Sequence, residues 1–167
     1  MNRISVIGCS GAGKTELSRR LGEKLGLPVI HLDHLGWQPG WQKVPHDELV
    51  RRQEAAFTHE GRWIADGNWA GTMMLRLTAA DTIVFLDLPM RTCLYRVLAR
   101  RLRRPEVAPG CRERWLDREF PGFLRFIAMY RRVHRPRMLA RLAALDGGQR
   151  VITLRSPREV EDFVSAL

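Results

Sequence analysis

The stretch Gly8-Cys9-Ser10-Gly11-Ala12-Gly13-Lys14-Thr15 decides the fold of this chain, because it satisfies every fixed position of the pattern G-x-x-x-x-G-K-[ST]. A β-branched run from Ile4 to Ile7 precedes it, and leucines one helical turn apart follow it between Glu16 and Leu25. Strand, glycine-rich loop and helix therefore occur in the order that a phosphate-binding loop requires. This context disfavours the alternative, a glycine-rich turn that only caps a helix.

The loop predicts binding of ATP with Mg²⁺. Backbone N–H groups of such a loop point at phosphate oxygens, and the positive end of the following helix dipole adds to the attraction. We expect Lys14 to reach the terminal phosphates and the Thr15 hydroxyl to hold the metal. The residues predicted to contact the nucleotide are Gly8, Ser10, Gly11, Ala12, Gly13, Lys14 and Thr15.

Length and composition indicate one globular domain. The chain has 167 residues, of which 45% are hydrophobic, and no apolar run approaches the ~20 residues of a membrane span. A strand enters the loop directly from the N-terminus, so we expect no cleavable signal and a cytoplasmic location. Cys9, Cys93 and Cys111 are odd in number and lack C-x-x-C spacing, which favours reduced thiols.

The net charge of +10 is concentrated in one segment. Residues 91–141 contain 15 Lys and Arg against 4 Asp and Glu, and all of these cations are arginines. Arginine suits bidentate contacts with phosphate, so the segment is predicted to face a polyanionic substrate. The alternative for any single arginine is a solvated helix face.

Short strands alternate with helices along the chain, which predicts an α/β fold with a parallel sheet covered by helices on both faces. The punctuated segment 37–45 is predicted to be irregular, and Pro136 is expected to separate two helices. The later strands are predicted at 28–32, 63–65, 82–86 and 151–154, and the later helices at 46–60, 73–77, 90–104, 112–132, 135–145 and from Pro157 onwards.

Three aspartates, Asp33, Asp66 and Asp87, each follow an apolar strand, and ligands of such sheets gather at the carboxyl ends of strands. Asp66 and Asp87 are both candidates to orient the magnesium ion. We favour Asp66, because Gly67 permits close approach of a ligand, whereas Pro89 indicates that Asp87 precedes a helix.

Asp33 is predicted to meet the phosphate acceptor, by binding its hydroxyl or receiving its proton. His31 and His34 beside it suggest a metal site as a weaker alternative. Trp37 and Trp41 have two possible roles, since they could stack on a base or sugar, or could pin their loop to the core.

Arg96, Arg100, Arg103 and Arg104 are spaced to share one side of a helix. Such a row could close on the transferred phosphoryl group as arginine fingers, with 105–110 as the tip of a flap, and Arg96 and Arg100 are the catalytic candidates. A second cluster with a weaker claim consists of Arg131, Arg132, Arg135 and Arg137.

The chain resembles the adenylate-kinase-like group of P-loop kinases, and within it the bacterial topology modulation proteins. The resemblance rests on the loop at 8–15, H-L-D at 31–33, W-Q-P-G-W at 37–41, W-I-A-D-G-N-W at 63–69, A-D-T-I-V-F-L-D at 80–87 and R-V-L-A-R-R-L at 96–102. It implies a single P-loop kinase-like domain, a three-layer α/β sandwich with five parallel strands and with ATP at Gly11 to Thr15. It also implies an arginine-rich helical lid after the fourth strand, at about 91–141.

One segment departs from adenylate kinases proper, which have D-G-F-P-R where this chain has D-G-N-W-A at 66–70. The arginine that would hold an acceptor phosphate is therefore missing there, and Arg76 is the candidate to replace it. Lys14, Asp33, Asp66, Arg96 and Arg100 are thus predicted to serve a kinase whose small acceptor is a nucleoside, a nucleotide or a similar metabolite.

Two other functions compete with the kinase. One is a nucleotide-dependent regulator that binds DNA or RNA through residues 91–141, although the chain has no recognised nucleic-acid motif. The other, a GTPase, is disfavoured by the lack of an N-K-x-D sequence.

Overall fold

Strands and helices alternate along the chain, as the sequence predicted. The computed structural model describes residues 1–103, 106–112 and 118–167. In chain order the elements are β1 (Arg3–Gly8), α1 (Lys14–Leu25), β2 (Val29–His31), α2 (Leu32–Gly36), β3 (Trp37–Gln38), β4 (Gln42–Lys43), α3 (His46–Glu60), β5 (Trp63–Asp66), α4 (Met73–Ala79), β6 (Thr82–Leu86), α5 (Met90–Leu102), β7 (Glu106–Ala108), β8 (Cys111–Arg112), α6 (Phe120–Met129), a π-helical turn (Tyr130–His134), α7 (Arg135–Ala143), β9 (Arg150–Leu154) and α8 (Pro157–Ser165).

Five strands form one parallel sheet in the order β2-β5-β1-β6-β9. The central strand β1 carries the phosphate loop at its carboxyl end, between its neighbours β5 and β6. In register, Val6 of β1 pairs with Asp66 of β5 and Gly8 pairs with Leu86 of β6. Asp66 and Asp87 therefore flank the loop from opposite sides, and this edge of the sheet positions the site.

Alternation along the strands divides the core between the two faces of the sheet. Ile4 and Val6 of β1 pack with α1, α5, α6 and α8, whereas Ile7 packs with α2, α3, α4 and α7. In the three central strands β5, β1 and β6, residues on both faces of the sheet are buried, as expected for a parallel sheet covered by helices, whereas the edge strands β2 and β9 are partly exposed. The predicted three-layer α/β sandwich is confirmed.

The structure differs from the sequence-based expectations in local detail. The segment 37–45 is not irregular, because β3 and β4 pair as an antiparallel hairpin, and a second small hairpin joins β7 to β8. Asp33 does not end a strand but lies in the first turn of α2. These corrections concern elements too short to show a sequence period.

Pro136 does not separate two helices, so that expectation was also wrong. The π-helical turn runs directly into α7, and Pro136 lies in the first turn of α7, where a missing N–H is tolerated. The predicted helix 112–132 does not begin at Arg112, which lies in β8. Residues 113–117 lie outside the described part of the chain, 118–119 form a turn, and α6 begins at Phe120. At the C-terminus, Ser156 Oγ accepts a hydrogen bond from the Glu159 N–H, which confirms the predicted capping box.

Within the described residues, no helix is both long and apolar enough to span a membrane.

Candidate active site

A cleft of about 1230 Å³ opens at the carboxyl edge of the sheet. It combines the phosphate loop, the ends of β2 and β5, and the arginine-bearing helix α5. This is the place where parallel sheets bind their ligands. The described residues that line it are Ser10, Gly11, Gly13, Lys14, Thr15, Glu16, Asp33, Trp37, Trp41, Asp66, Gly67, Arg96, Arg100, Arg101, Val107, Arg118, Glu119 and Phe123.

The phosphate loop is closed on itself by Lys14. Its ammonium Nζ donates hydrogen bonds of 3.1 Å to the carbonyl oxygens of both Gly8 and Cys9. Burial lowers the pKa of Lys14, an effect that the nearby carboxylates of Asp33 and Asp66 oppose. A cation held in a partly desolvated site, with acidic groups nearby and no carboxylate bonded to it, is suited to receive an anionic ligand.

Most of the predicted loop residues line the cleft. Ser10, Gly11, Gly13 and Thr15 do so, whereas Gly8 and Ala12 are buried beneath it. The carbonyl of Ala12 instead accepts a hydrogen bond of 3.0 Å from Nη1 of Arg96. This contact fixes one of the predicted arginine fingers against the loop.

Asp66 lies at the end of β5 and lines the cleft, and only one of its two carboxylate oxygens has a hydrogen-bond partner in the described residues. Its Oδ1 is 2.8 Å from Nδ1 of His31, while its buried Oδ2 has no hydrogen-bond partner in the described part of the chain. The hydrogen bond to Asp66 is the main reason that the pKa of His31 is raised. A carboxylate oxygen without a partner, on a residue that lines the same cleft as Thr15, fits the needs of a hard cation.

Asp87, the competing candidate, is occupied elsewhere. Nε of Arg135 donates to both of its carboxylate oxygens at 2.9 Å, and a further nitrogen of Arg135 donates to Oδ2 at 2.8 Å. Asp87 does not line the cleft. The geometry therefore favours Asp66, and one arginine of the second predicted cluster is explained by this ion pair.

Asp33 faces the cleft from α2. The indole N–H of Trp69 donates a 2.9 Å hydrogen bond to its Oδ1, and Oδ2 has no partner within the described residues. In those residues no group of three or more acidic, histidine or cysteine side chains could hold a metal, so the alternative metal site around His31 and His34 finds no support. The carboxylate is oriented by an indole and open on its other oxygen.

The arginines of α5 fall into two groups. Arg96 and Arg100 line the cleft, as predicted, together with Arg101, which the sequence reasoning missed. The Arg101 guanidinium lies 3.8 Å from the centre of the Phe120 ring. Arg103 is exposed and does not line the cleft, and the prediction for Arg104 lies outside the described residues.

Arg76 does not take the place that the sequence suggested. It is fully buried, and its Nη2 donates to the carbonyls of Gly67 and Asn68 at 2.9 and 2.5 Å. Burial lowers its pKa to about 9. Arg76 therefore shapes the segment after β5 from below instead of presenting its guanidinium to an acceptor phosphate.

Asn68 is a structural partner of the loop that sequence reasoning did not select. Its Nδ2 donates to the Gly8 carbonyl at 2.7 Å and its Oδ1 accepts from the Gly8 N–H at 3.4 Å. The signal available was its place in D-G-N directly after a strand. Arg118, Glu119 and Phe123 also line the cleft without having been predicted as site residues.

The two small hairpins meet above the cleft. The N–H of Gly40 donates to the Gly110 carbonyl at 3.2 Å, and Cys111 Sγ lies 3.0 Å from the Gln38 carbonyl. The indole N–H of Trp41 donates to the Arg112 carbonyl at 3.4 Å. The predicted flap thus rests on the hairpin of β3 and β4.

A parallel sheet of this strand order, a lysine-bearing glycine loop at its centre and an arginine-bearing helix over the cleft define a P-loop kinase fold. Comparisons with known proteins agree. A protein described as "Putative adenylate kinase" from Pyrococcus furiosus is 26% identical over 115 residues, which cover 68% of this chain and 64% of that protein. This chain therefore spans somewhat less than two thirds of the length of that relative. No family model matches this chain.

Solved structures show the same fold. Shikimate kinase from Acinetobacter baumannii, determined in complex with shikimate, has a TM-score of 0.60 at 19% identity, covering 99% of this chain and 90% of that one. A sugar kinase from Janibacter has a TM-score of 0.53 at 18% identity, covering 99% and 93%. The predicted resemblance to adenylate-kinase-like P-loop kinases is confirmed. The closer resemblance to topology modulation proteins stays a prediction.

Proposed function

We propose that this chain is a kinase that transfers the γ-phosphoryl group of Mg-ATP to a hydroxyl of a small acceptor, such as a nucleoside, a nucleotide or a similar metabolite. The observation that carries the proposal is the convergence of Lys14, Asp66, Asp33 and Arg100 on one cleft. Phosphoryl transfer needs positioned cations and a metal-orienting carboxylate more than covalent assistance. These four residues supply the required charges.

The residues around the loop fit a triphosphate and a magnesium ion. Thr15 and the orphaned Oδ2 of Asp66 would hold Mg²⁺, directly or through water. When bound, the metal would neutralise charge on the β- and γ-phosphates. Lys14 would exchange its two loop carbonyls for phosphate oxygens, and the loss of those 3.1 Å contacts would be offset by charge-assisted hydrogen bonds.

Asp33 would act on the acceptor hydroxyl, and the arginines of α5 would act on the transferring phosphoryl group. The open Oδ2 of Asp33 would accept the proton of the attacking hydroxyl as its oxygen bonds to the γ-phosphorus and the bond to the β-phosphate oxygen breaks. Arg96, anchored at the Ala12 carbonyl, and Arg100 would stabilise the charge on the transferring group. Shikimate, bound in the shikimate kinase of similar fold, is consistent with an acceptor of this size.

The test is ATP binding by calorimetry and ADP release across a panel of nucleosides, nucleotides and sugars, with Lys14→Ala as the variant. We expect Lys14→Ala to lower turnover at least about 100-fold, since it removes the cation at the phosphates. Turnover equal to that of the unaltered protein would contradict the assignment. Lys24→Ala, on the outer part of α1, is the control and should retain turnover.

A nucleic-acid-binding regulator is the second candidate, favoured by the exposure of Arg131, Arg132 and Arg137 away from the cleft. Such a protein would bind DNA or RNA with an affinity that falls steeply with salt and changes with ATP. A salt titration of binding to duplex DNA and to RNA distinguishes the two functions. Weak, ATP-independent binding together with acceptor-stimulated ADP release would favour the kinase.

A further inference from the structure

One wall of the cleft, which we call the acceptor wall, consists of Asp33, Trp37, Trp41 and Val107. It comes from α2, the hairpin of β3 and β4, and the lid strand β7. The two indoles meet edge to face, with ring centres 5.4 Å apart. The acceptor wall therefore offers aromatic surface next to an open carboxylate oxygen.

The two tryptophans are held differently. Trp37 is half-buried and its ring packs edge-on against Trp69, 5.4 Å between centres, which pins the hairpin to the core. Trp41 keeps 39% of its surface exposed and reaches the lid hairpin through its indole N–H. Of the two roles expected for these tryptophans, Trp37 takes the one of pinning the loop to the core, and Trp41 is the ring available for stacking on a ligand.

Trp41 is also held in a strained conformation. Its φ of 63° is the one positive value among the described residues other than glycine, and bulky side chains rarely adopt it. The neighbouring contacts of Gly40 with Gly110 and of Gln38 with Cys111 hold the turn in place. Strain of this kind is characteristic of residues that position a ligand.

Charge on the acceptor wall disfavours an anionic acceptor. Among the described residues, the arginines that line the cleft belong to α5 or to the segment before α6, and they are Arg96, Arg100, Arg101 and Arg118. Arg76, the candidate phosphate ligand after β5, is withdrawn into the core. Lys43 lies 5.6 Å from the Trp37 ring centre but is outside the residues lining the cleft.

We infer that the acceptor is an uncharged hydroxylated ring compound, a nucleoside or a sugar, whose flat face stacks on Trp41 and whose hydroxyl meets Oδ2 of Asp33. This inference rests on the proposed phosphoryl transfer. Aromatic rings and a carboxylate recognise the shared chemistry of both compounds, an apolar face beside a hydroxyl. A phosphorylated acceptor would instead bring its charge beside Asp33 and Asp66.

The experiment uses the full chain with Mg-ATP and acceptors in matched pairs: nucleosides against their 5′-monophosphates, and hexoses against hexose 6-phosphates. ADP release gives the rate, and mass spectrometry identifies the product. We expect the uncharged member of the productive pair to have the higher kcat/KM by about 10-fold or more, as repulsion between nearby like charges implies. The pair that reacts tells a nucleoside from a sugar.

Variants then test the ring contact. We expect Trp41→Leu to raise the acceptor KM about 2-fold to 10-fold, with the KM of ATP unchanged and with partial rescue in Trp41→Phe. Tyr95→Leu, an exposed aromatic change on α5 outside the cleft, is the control and should alter neither value.

Two results would overturn the inference while leaving the kinase intact. They are a preference for the phosphorylated member of the pairs and an unchanged acceptor KM in Trp41→Leu. ATP binding without ADP release for any compound of the panel would count against the proposed kinase function as well. Failure to bind ATP in calorimetry is a separate result, because it would refute the proposed kinase function itself.

Discussion

The contact between the phosphate loop and α5 gives the most direct quantitative test of the fold. Gly11 has a φ of +81°, and a Cβ there would overlap the Cys93 carbonyl oxygen and lie 2.8 Å from Cγ2 of Val97. The carbonyl belongs to the backbone of α5, so it cannot move aside as a flexible side chain would. We predict that Gly11→Ala strongly destabilises the protein and weakens its binding of ATP.

The magnitude can be separated into two parts. An alanine in the left-handed region costs about 1–2 kcal/mol, and forcing extra volume into a packed contact costs about 1–3 kcal/mol more. The expected loss in Gly11→Ala is therefore about 2–5 kcal/mol of the free energy of unfolding. Gly26, with φ +61° and no atom within 4 Å of the position that a Cβ would take, bears the first cost alone and is the matched control.

Urea denaturation followed by circular dichroism measures both variants, and calorimetry measures ATP binding. Gly26→Ala should lose about 1–2 kcal/mol and retain the ATP affinity of the unaltered protein. If the two variants were equally stable and bound ATP equally well, the packing of Gly11 against α5 would be refuted.

Three further predictions concern the polar contacts of the site. Asn68→Ala should lower the free energy of unfolding by about 0.5–1.5 kcal/mol, because it removes the side-chain acceptor of the Gly8 N–H and leaves Lys14 as the remaining side-chain donor to the Gly8 carbonyl among the described residues. A loss below about 0.5 kcal/mol in urea denaturation would contradict this role. Asp87→Asn should lower the free energy of unfolding by about 1.5–3 kcal/mol, because it weakens the ion pair with Arg135, but should leave magnesium-dependent ATP affinity nearly unchanged. Asp66→Asn should reduce that affinity, as measured by calorimetry at varied Mg²⁺. The opposite ranking of the two variants would assign the metal role to Asp87. The pKa of His31 is raised in the fold, so its stabilising contact with Asp66 is fully present below the unfolded pKa of His31 and is lost as pH rises through the folded pKa. We therefore expect His31→Gln to lower the free energy of unfolding more at about pH 5.5 than at about pH 9. Equal losses at both pH values would exclude a charged contact.

The layered fold could be predicted because its signals are local. The apolar runs of β1 and β6, the leucine spacing of α1 and the capping box of α8 each specify an element within a few neighbouring residues. The rule that parallel strands end at one edge then brings the loop, Asp66 and Asp87 together without knowledge of side-chain contacts. The same signals were absent from the two hairpins, whose strands are too short to show a period.

The residues of the site were harder to rank, because residues of the same type received different environments. Asp66 and Asp87 both follow an apolar strand, yet Arg135, 48 residues further on, engages only Asp87. Arg76 and Arg100 are both arginines near the predicted site, but one is fully buried and the other lines the cleft. Which aspartate forms an ion pair and which arginine is buried depend on how elements distant in the sequence pack together.

By itself, the sequence determined the order of the main strands and helices, the phosphate loop with Lys14 and Thr15, and the edge of the sheet at which the cleft opens. Those features follow from hydrophobic period and from backbone freedom, which neighbouring residues impose. Only the tertiary structure decided that Asp66 keeps one buried oxygen without a hydrogen-bond partner in the described residues, that Asn68 bonds to Gly8, and that Trp41 bonds to Arg112 of the β7–β8 hairpin. These contacts join residues far apart in the chain, and their geometry exists only after the layers have packed.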